Sequence, residues 1–156
     1  MPKYIVAAGS SHPLGQRYIL DARDMMNDIR GMVICGESPI FKNGSVGMPL
    51  NRLCFDCAWA IFAPLEPRVF YRELKVIEHR LGRIRSYKNA PRTIDLDVLM
   101  SFDLIYNSGT FSVPHKEFYR REFFMRCALK AIISAQWPLP HALKKTSIRN
   151  YLAPCS

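Results

Sequence analysis

The decisive stretch of the chain is residues 90–99, APRTIDLDVL, in which apolar residues alternate with two acids. Successive side chains of a strand point to opposite faces, so Asp95 and Asp97 share one face of a predicted strand. Because two neighbouring carboxylates repel each other, this face needs positive charge close by. The opposite face suits a hydrophobic core and carries Ile94, Leu96 and Val98.

Two kinds of cation can neutralise Asp95 and Asp97. A divalent cation is one, since magnesium prefers hard oxygen ligands and usually takes one or two carboxylates, leaving its other positions to water and phosphate oxygens. Neither a GxxxxGK[ST] loop nor a GxGxxG loop is present, so nucleotide phosphates would have to be held by side chains. The other kind is a nearby arginine in an ordinary ion pair, and the candidates are Arg80, Arg83, Arg85 and Arg92.

Outward from this segment, alternation and helical periodicity predict four strands and three helices. The strands are residues 3–8, 32–35 with 38–41, 52–62 and 93–100, and the helices run from Pro13 to near Gly31, from Pro67 to Gly82 and over residues 117–134. Residues 42–51 are predicted to be a loop and residues 103–112 an irregular hairpin. The order strand, helix, strand, strand, helix, strand predicts an α+β fold, a ferredoxin-like sandwich with an antiparallel sheet and an appended C-terminal helix and tail.

The first two predicted helices are amphipathic. Pro67 suits the first position of the second helix, and Gly82 suits the position just past its end. The expected core-facing residues are Leu14, Tyr18, Ala22, Met25 and Ile29 in the first helix and Phe70, Leu74, Ile77 and Leu81 in the second.

Length and composition indicate one globular domain spanning residues 1–156, with 49% hydrophobic and 22% charged residues. No uncharged apolar run approaches the roughly 18 residues of a membrane span, and the N-terminal apolar run is too short for a signal peptide, so we expect a cytoplasmic protein with no membrane partner. The net charge of +9, from 22 basic and 13 acidic residues, favours polyanionic partners such as nucleotides or nucleic acid. No recognised nucleic-acid-binding motif is present, which makes a nucleic-acid-binding module the weaker alternative.

The five cysteines do not predict a disulfide framework, because their number is odd and the chain shows no export signal. Cys54 and Cys57 form a CxxC, but they lie in the strand-like run LCFDCAWAIF, whereas a redox CxxC would open a helix. No second pair of Cys or His stands at zinc spacing. We therefore expect ordinary buried thiols.

Residues 82–100, GRIRSYKNAPRTIDLDVLM, resemble the signature of the 6-hydroxymethyl-7,8-dihydropterin pyrophosphokinase family of the folate pathway. The resemblance continues in residues 112–124, SVPHKEFYRREFF, and in AAGSS at residues 7–11. It implies a ferredoxin-like fold that binds ATP and two magnesium ions beside the sheet. It also implies transfer of the terminal pyrophosphate of ATP to the pterin hydroxymethyl group.

The same resemblance implies roles for individual residues. Asp95 and Asp97 would hold both magnesium ions, while Arg83 and Arg92 would bind phosphates, with Arg83 on a loop that closes over the site. Expected ATP contacts are Glu78, Arg85, the backbone near Val98, Ser112, His115 and Arg121. The structural alternatives are an ordinary loop position for His115 and an exposed helix position for Glu78.

The pterin side departs from the family pattern. Expected substrate-binding positions are Asn43, Gly44, Val46, Cys54, Asp56 and Phe123. Asn43-Gly44 stands where the family usually has Thr-Pro, and Cys54 and Asp56 stand where it has an aromatic residue and an asparagine. Asn89-Ala90 stands in the loop where a tryptophan is common. Phe123 is left as a stacking ring, and the Asp56 carboxylate can still accept hydrogen bonds from pterin N–H groups.

We therefore expect a monomeric pyrophosphokinase that acts on ATP and hydroxymethyldihydropterin. The alternative is a family member that binds Mg-ATP but uses another acceptor or is inactive towards pterin.

Overall fold

The computed structural model describes residues 2–44, 53–84 and 92–144 of the chain. The elements in chain order are β1 Lys3–Ser10, α1 Gly15–Asn27, β2 Val33–Glu37, β3 Phe41–Gly44, β4 Leu53–Phe62, α2 Pro67–Arg80, β5 Asp95–Ser101, β6 Tyr106–Asn107, β7 Ser112–Val113, α3 Glu122–Ser134 and α4 His141–Lys144.

The main sheet has five strands in the order β2-β4-β1-β5, with β3 also paired to β4. Every neighbouring pair is antiparallel. The helices α1 and α2 each connect two strands that are separated in the sheet by one other strand, which is the ferredoxin-like arrangement. The predicted α+β fold is confirmed, and the predicted hairpin is present as the two-stranded sheet β6-β7.

Helices cover both faces of the sheet. Alternate residues of β1, β4 and β5 pack against α1 and α2 on one face, and the other residues of these strands pack against α3. Ile94, Leu96 and Val98 are buried on the α1 and α2 side, as the alternation predicted. Asp95 and Asp97 therefore lie on the α3 side, at the end of the sheet where β1 ends and β4 begins.

The prediction of a loop from Lys42 was wrong at its start, because Phe41–Gly44 forms β3. Strand β4 is ten residues long, and β2 pairs with only its second half, from Trp59 to Phe62. The first half of the same edge, from Leu53 to Asp56, is left for β3. This pairing is long-range, and the turn-like composition of residues 42–44 hides it.

The core-facing side of the first helix was predicted correctly except at Leu14, since Ala22 is buried and Tyr18, Met25 and Ile29 are partly buried against the core. Leu14 is 59% exposed, and the buried positions of the helix are Gly15, Ile19, Ala22 and Met26. A Cβ at Gly15 would come within 2.6 Å of the Phe55 ring, so the missing side chain lets the helix approach the sheet. The contact line includes the small residue Gly15 as well as the large residues Ile19 and Met26, and a search for large apolar residues does not detect the glycine.

Helix α3 starts at Glu122 instead of Glu117. Residues 117–121 form turns, in which the Glu117 carbonyl accepts hydrogen bonds from the Arg120 and Arg121 N–H groups. Arg121 has extended backbone angles, φ −95° and ψ 103°, which interrupt any continuous helix. Helix α2 agrees with its prediction, since it begins at Pro67 and Gly82 follows its end with φ +80°. Among the described residues, no helix is long and apolar enough to cross a membrane.

Candidate active site

Asp95 is held between two arginines. Its Oδ1 is 2.6 Å from Nη1 of Arg83, and its Oδ2 is 3.0 Å from Nη1 of Arg92. Burial alone would lower the pKa of Arg83, but the carboxylates of Asp95 and Glu78 outweigh this effect and raise the pKa. The sequence left open whether arginines or a metal ion neutralise the aspartates, and for Asp95 the ion pairs with arginines are present.

Asp97 has a different environment, since it forms no ion pair with any described residue. Burial raises the pKa of its carboxyl group, and the nearby charge of Asp95 raises it further, against the opposing effects of Lys75 and His115. An added cation would offset both the unfavourable effect of burial on the charged Asp97 carboxylate and its repulsion from Asp95. The two carboxylates thus fit a hard divalent cation, with Asp97 as the unneutralised ligand.

Glu78 lies behind the aspartates and is only 4% exposed. Its Oε1 accepts a hydrogen bond of 2.7 Å from the Leu96 N–H and lies 2.7 Å from Nη1 of Arg83 and 2.8 Å from Nζ of Lys75. The Lys75 ammonium also donates to the Leu96 carbonyl at 3.0 Å. Side chains of α2 therefore bond both backbone groups of Leu96 on the outer edge of β5 and hold Arg83 beside Asp95, so the alternative of an exposed helix position for Glu78 is wrong.

Ser10 and Ser11 fix the backbone of Arg92, a role that the sequence did not reveal. The Arg92 carbonyl accepts hydrogen bonds from Ser10 Oγ at 3.2 Å and from the Ser11 N–H at 3.1 Å, while the Arg92 N–H donates to Ser11 Oγ at 2.9 Å. These bonds join positions about eighty residues apart in the chain. The only signal in the sequence is a pair of hydroxyl residues at the end of a strand.

Three of the expected ATP positions meet in a small cavity of about 200 Å³, which we call the inner cavity. Val98, Ser112 and His115 line it together with Asp97. The His115 N–H donates to the Leu99 carbonyl at 2.8 Å, which ties this segment to the outer edge of β5. The remaining lining residues, which the sequence did not single out, are Tyr71, Thr110, Phe111 and Lys116.

Arg121 does not line the inner cavity. Its guanidinium group lies over the Phe124 ring, 5.0 Å from the ring centre, at the start of α3. Its charge acts on the other part of the site, where it lowers the pKa of Asp56 against the larger effect of burial. Arg121 is thus close enough to Asp56 for its charge to act on that carboxyl group.

Asp56 lies in the same row of the sheet as Asp95, with Gly9 of β1 between them. A Cβ at position 9 would come within 2.8 Å of Asp56 Oδ1, so glycine makes room for this carboxylate. Burial raises the pKa of Asp56 to about 6; Arg121 lowers it and Asp95 raises it to smaller extents. Asp56 is therefore a further half-buried acid on the α3 face.

The other described positions that were expected to bind substrate lie on β3, on β4 and at the start of α3. Asn43 is paired with Cys54 and Gly44 with Leu53 in the β3-β4 register. The Phe123 ring meets the Phe41 ring edge to face, with centres 5.6 Å apart. Val46 and Arg85, and the loop positions Asn89 and Ala90, lie outside the described residues.

The prediction of buried thiols is confirmed for Cys57 and Cys127 but is wrong for Cys35, which is exposed, while Cys54 is half-buried. The four cysteines within the described ranges are not joined in disulfides. Cys54 and Cys57 are an odd number of residues apart in β4 and so point to opposite faces, and burial raises the pKa of Cys57. Within the described ranges no three side chains of His, Cys, Asp and Glu are grouped as metal ligands.

Comparison with known proteins shows the family. A model of the 7,8-dihydro-6-hydroxymethylpterin-pyrophosphokinase family matches residues 5–133. The chain is similar to the folic acid synthesis protein fol1 of Pneumocystis carinii, with 28% identity over 148 residues, which cover 94% of this chain but 19% of that protein. The chain thus spans about a fifth of the length of this relative.

Two bacterial relatives are closer to the chain in length. Both are named 2-amino-4-hydroxy-6-hydroxymethyldihydropteridine pyrophosphokinase. The protein of Campylobacter jejuni is 30% identical over 113 residues, covering 72% of this chain and 71% of its own. The protein of Bacillus subtilis is 27% identical over 120 residues, covering 77% and 72%. On these matches, the chain belongs to the 7,8-dihydro-6-hydroxymethylpterin-pyrophosphokinase family.

Proposed function

We propose that the chain transfers pyrophosphate from ATP to the hydroxymethyl group of 6-hydroxymethyl-7,8-dihydropterin in folate synthesis and releases AMP. The observation that carries this proposal is the pair Asp95 and Asp97, with two arginines on the first and an unneutralised charge on the second. Family membership supports the same conclusion, as do the names of the relatives.

Asp95 and Asp97 are the proposed ligands of two magnesium ions. Bound magnesium would offset the charge of the phosphates and acidify the attacking hydroxyl group. Because the protein supplies only two carboxylates here, phosphate oxygens and water would complete the coordination.

Arg83 and Arg92 are the proposed phosphate-binding groups. Both guanidinium groups already lie within 3.0 Å of a carboxylate oxygen, so phosphate oxygens at this face would compete for the same donors. Glu78 and the serines Ser10 and Ser11 hold the two arginines from behind. Positioning of this kind is the main source of rate in phosphoryl transfer, because charge is stabilised without reorganisation.

The inner cavity is the proposed nucleoside site, with Val98, Ser112 and His115 as contacts. Arg121 and Arg85 are proposed as further contacts of the nucleotide. In the transfer step the hydroxymethyl oxygen forms a bond to the β-phosphorus of ATP. The bond between that phosphorus and the oxygen that bridges it to the α-phosphorus breaks, and AMP leaves with this oxygen. The hydroxyl proton passes to solvent, so no strong general base is required.

The pterin is proposed to lie on the α3 face beside Asp56, with Phe123 as a stacking ring. Asp56 would accept hydrogen bonds from ring N–H and amino groups, which a buried carboxylate does well. Asn43, Gly44, Val46 and Cys54 complete the proposed acceptor site. The proposed acceptor site lacks the second aromatic ring that the family usually has. The second candidate function is therefore Mg-ATP binding with a different acceptor.

The first test is product analysis with ATP, magnesium and hydroxymethyldihydropterin. We expect AMP, not ADP, and a loss of at least a hundredfold in rate for Asp97→Asn, with Asp103→Asn as an exposed control. No AMP at high enzyme concentration, or AMP release that Asp97→Asn leaves intact, would contradict the proposal.

Calorimetry separates the two candidates. Magnesium-dependent ATP binding without pterin binding would favour the second candidate. In that case the double variant Cys54→Tyr, Asp56→Asn should restore pterin affinity, and a failure to do so would show that these two positions do not decide acceptor choice.

A further inference from the structure

Asp95 is closed to a metal ion by its two arginines. Each carboxylate oxygen contacts one guanidinium nitrogen, Oδ1 that of Arg83 at 2.6 Å and Oδ2 that of Arg92 at 3.0 Å. Magnesium binds a carboxylate oxygen at about 2.1 Å, so an ion on either oxygen would lie within about 5 Å of a guanidinium group. Like charges at this distance repel each other. The arginines therefore lower the affinity of Asp95 for a divalent cation.

Asp97 is open by comparison. It forms no ion pair with a described residue, and it lines the inner cavity. A cation that approaches this face of the sheet therefore meets one carboxylate without an ion pair to a described residue and one that two arginines already occupy. The proposed reaction needs both carboxylates as ligands, so the arginines have to leave Asp95 before the metal site is complete.

Both arginines can leave Asp95 without losing their place in the fold. The Arg92 side chain is 52% exposed, and its backbone is fixed independently by two serines near the end of β1. The Arg83 guanidinium group has a second anchor, since it also lies 2.7 Å from Oε1 of Glu78. A polyphosphate offers each guanidinium group several oxygens and paired hydrogen bonds, which a single carboxylate oxygen does not. Phosphate oxygens can therefore replace Asp95 as the partner of both arginines.

We propose that the two arginines on Asp95 form an autoinhibitory contact, which keeps this carboxylate from divalent cations until a polyphosphate draws the arginines away. The inference rests on the proposed function for the identity of the cation and of the polyphosphate. Polyphosphate and metal then strengthen each other's binding, because the coupling free energy between two ligands is reciprocal. Removal of a phosphate-binding arginine should therefore strengthen metal binding when no nucleotide is present. A role in phosphate binding alone predicts no such gain.

The test is a titration of the full chain with Mn²⁺ alone, in which electron paramagnetic resonance measures the free ion. Arg92→Ala frees one oxygen of Asp95 and should bind Mn²⁺ at least threefold more tightly than the wild type, since partly exposed ion pairs are weak competitors. The double variant Arg83→Ala, Arg92→Ala frees both oxygens and should bind Mn²⁺ at least tenfold more tightly. Circular dichroism checks the folding of both variants, and Arg92→Ala alone decides the test if the double variant does not fold.

Two controls separate this contact from a general change of charge. Arg80→Ala removes an exposed positive charge that forms no ion pair with the described residues, and it should leave the Mn²⁺ affinity unchanged. In an Asp95→Asn background, Arg92→Ala should give no gain, because the oxygen that it frees is no longer charged. Equal Mn²⁺ affinity of the wild type and the arginine variants, or a gain that persists with Asp95→Asn, would overturn the proposal.

The arginine side chains report the exchange directly. Inorganic tripolyphosphate, added without metal, should shift the Nε–H NMR signals of Arg83 and Arg92, whereas sodium chloride at equal ionic strength should not. Signals that stay unchanged up to the highest tripolyphosphate concentration would mean that the arginines remain on Asp95, which also contradicts the proposal. A failed AMP-release assay with the expected Mn²⁺ and NMR results would refute the proposed function alone. AMP release by a chain whose arginine variants gain no Mn²⁺ affinity would refute this inference alone.

Discussion

Asp56→Asn tests whether this chain carries a destabilising, half-buried charge in its proposed acceptor site. Burial raises the pKa of Asp56 from its ordinary value of 3.8 to about 6. At about 1.4 kcal/mol per pH unit, this rise corresponds to about 3 kcal/mol of unfavourable free energy in the ionised folded state. Asparagine has nearly the same shape and no charge, so it removes this contribution alone.

The sign of the pH dependence follows from the direction of the pKa change. Between pH 3.8 and about 6 the folded chain holds a proton on Asp56 that the unfolded chain has lost. The free energy of unfolding therefore falls as pH rises through this window, and the loss is complete above it. The stability of Asp56→Asn relative to the wild type should thus increase by up to about 3 kcal/mol between pH 4 and pH 7.

Urea unfolding of both proteins at half-unit steps from pH 4 to pH 8 measures this difference. Taking the difference between the two curves cancels the contributions of other titrating groups, such as Asp97. Asp28→Asn, an exposed carboxylate, shows what the loss of one negative charge does to the same curve. A difference between Asp56→Asn and the wild type that stays constant from pH 4 to pH 7 would refute this reasoning, since it would place Asp56 in water.

The remaining two predictions concern groups behind the arginines. Glu78→Gln leaves the Arg83 and Lys75 charges partly unpaired, so it should lower the free energy of unfolding in urea by about 3 kcal/mol and also slow AMP release. Glu73→Gln on the same helix is the control. An unchanged rate of AMP release in Glu78→Gln would mean that Glu78 does not position Arg83. Ser11→Ala removes the acceptor of the Arg92 N–H, which should cost about 1 kcal/mol and raise the KM for ATP. The control is Ser134→Ala, which loses a similar hydrogen bond from the Glu37 N–H, and an equal effect of both variants on KM would contradict the positioning role.

Local patterns were sufficient for most of the fold. The period of two in β5, the period of 3.6 in α2 and the Pro67 and Gly82 signals each depend on neighbouring residues, so the sequence showed them. Strand β3 depends on a distant partner, the free edge of β4. The close approach of α1 to the sheet at Gly15 likewise depends on the Phe55 ring. Neither partner is visible in the segment whose structure it determines.

The same distinction applies to the candidate site. Asp95 and Asp97 were predictable because a single strand carries both carboxylates on one face. The roles of Glu78, Ser10 and Ser11 were not, because their hydrogen bonds join them to residues 18 to 82 positions away in the chain. Residue types alone do not distinguish a serine that fixes a distant backbone from one that faces water.

The way β5 is held explains why its aspartates can serve a cation. This strand lies at the edge of the sheet, yet both of its edges are bonded, the inner one to β1 and the outer one to Glu78, Lys75 and the His115 N–H. Asp95 and Asp97 are two residues apart on this strand, so the extended backbone keeps both carboxylates on one face and their repulsion persists in the folded chain. Arginines already offset this repulsion at Asp95, whereas within the described residues no ion pair does so at Asp97. The carboxylate without an ion pair to a described residue therefore lines the inner cavity, where the proposed magnesium ions would meet two carboxylates that are already in position.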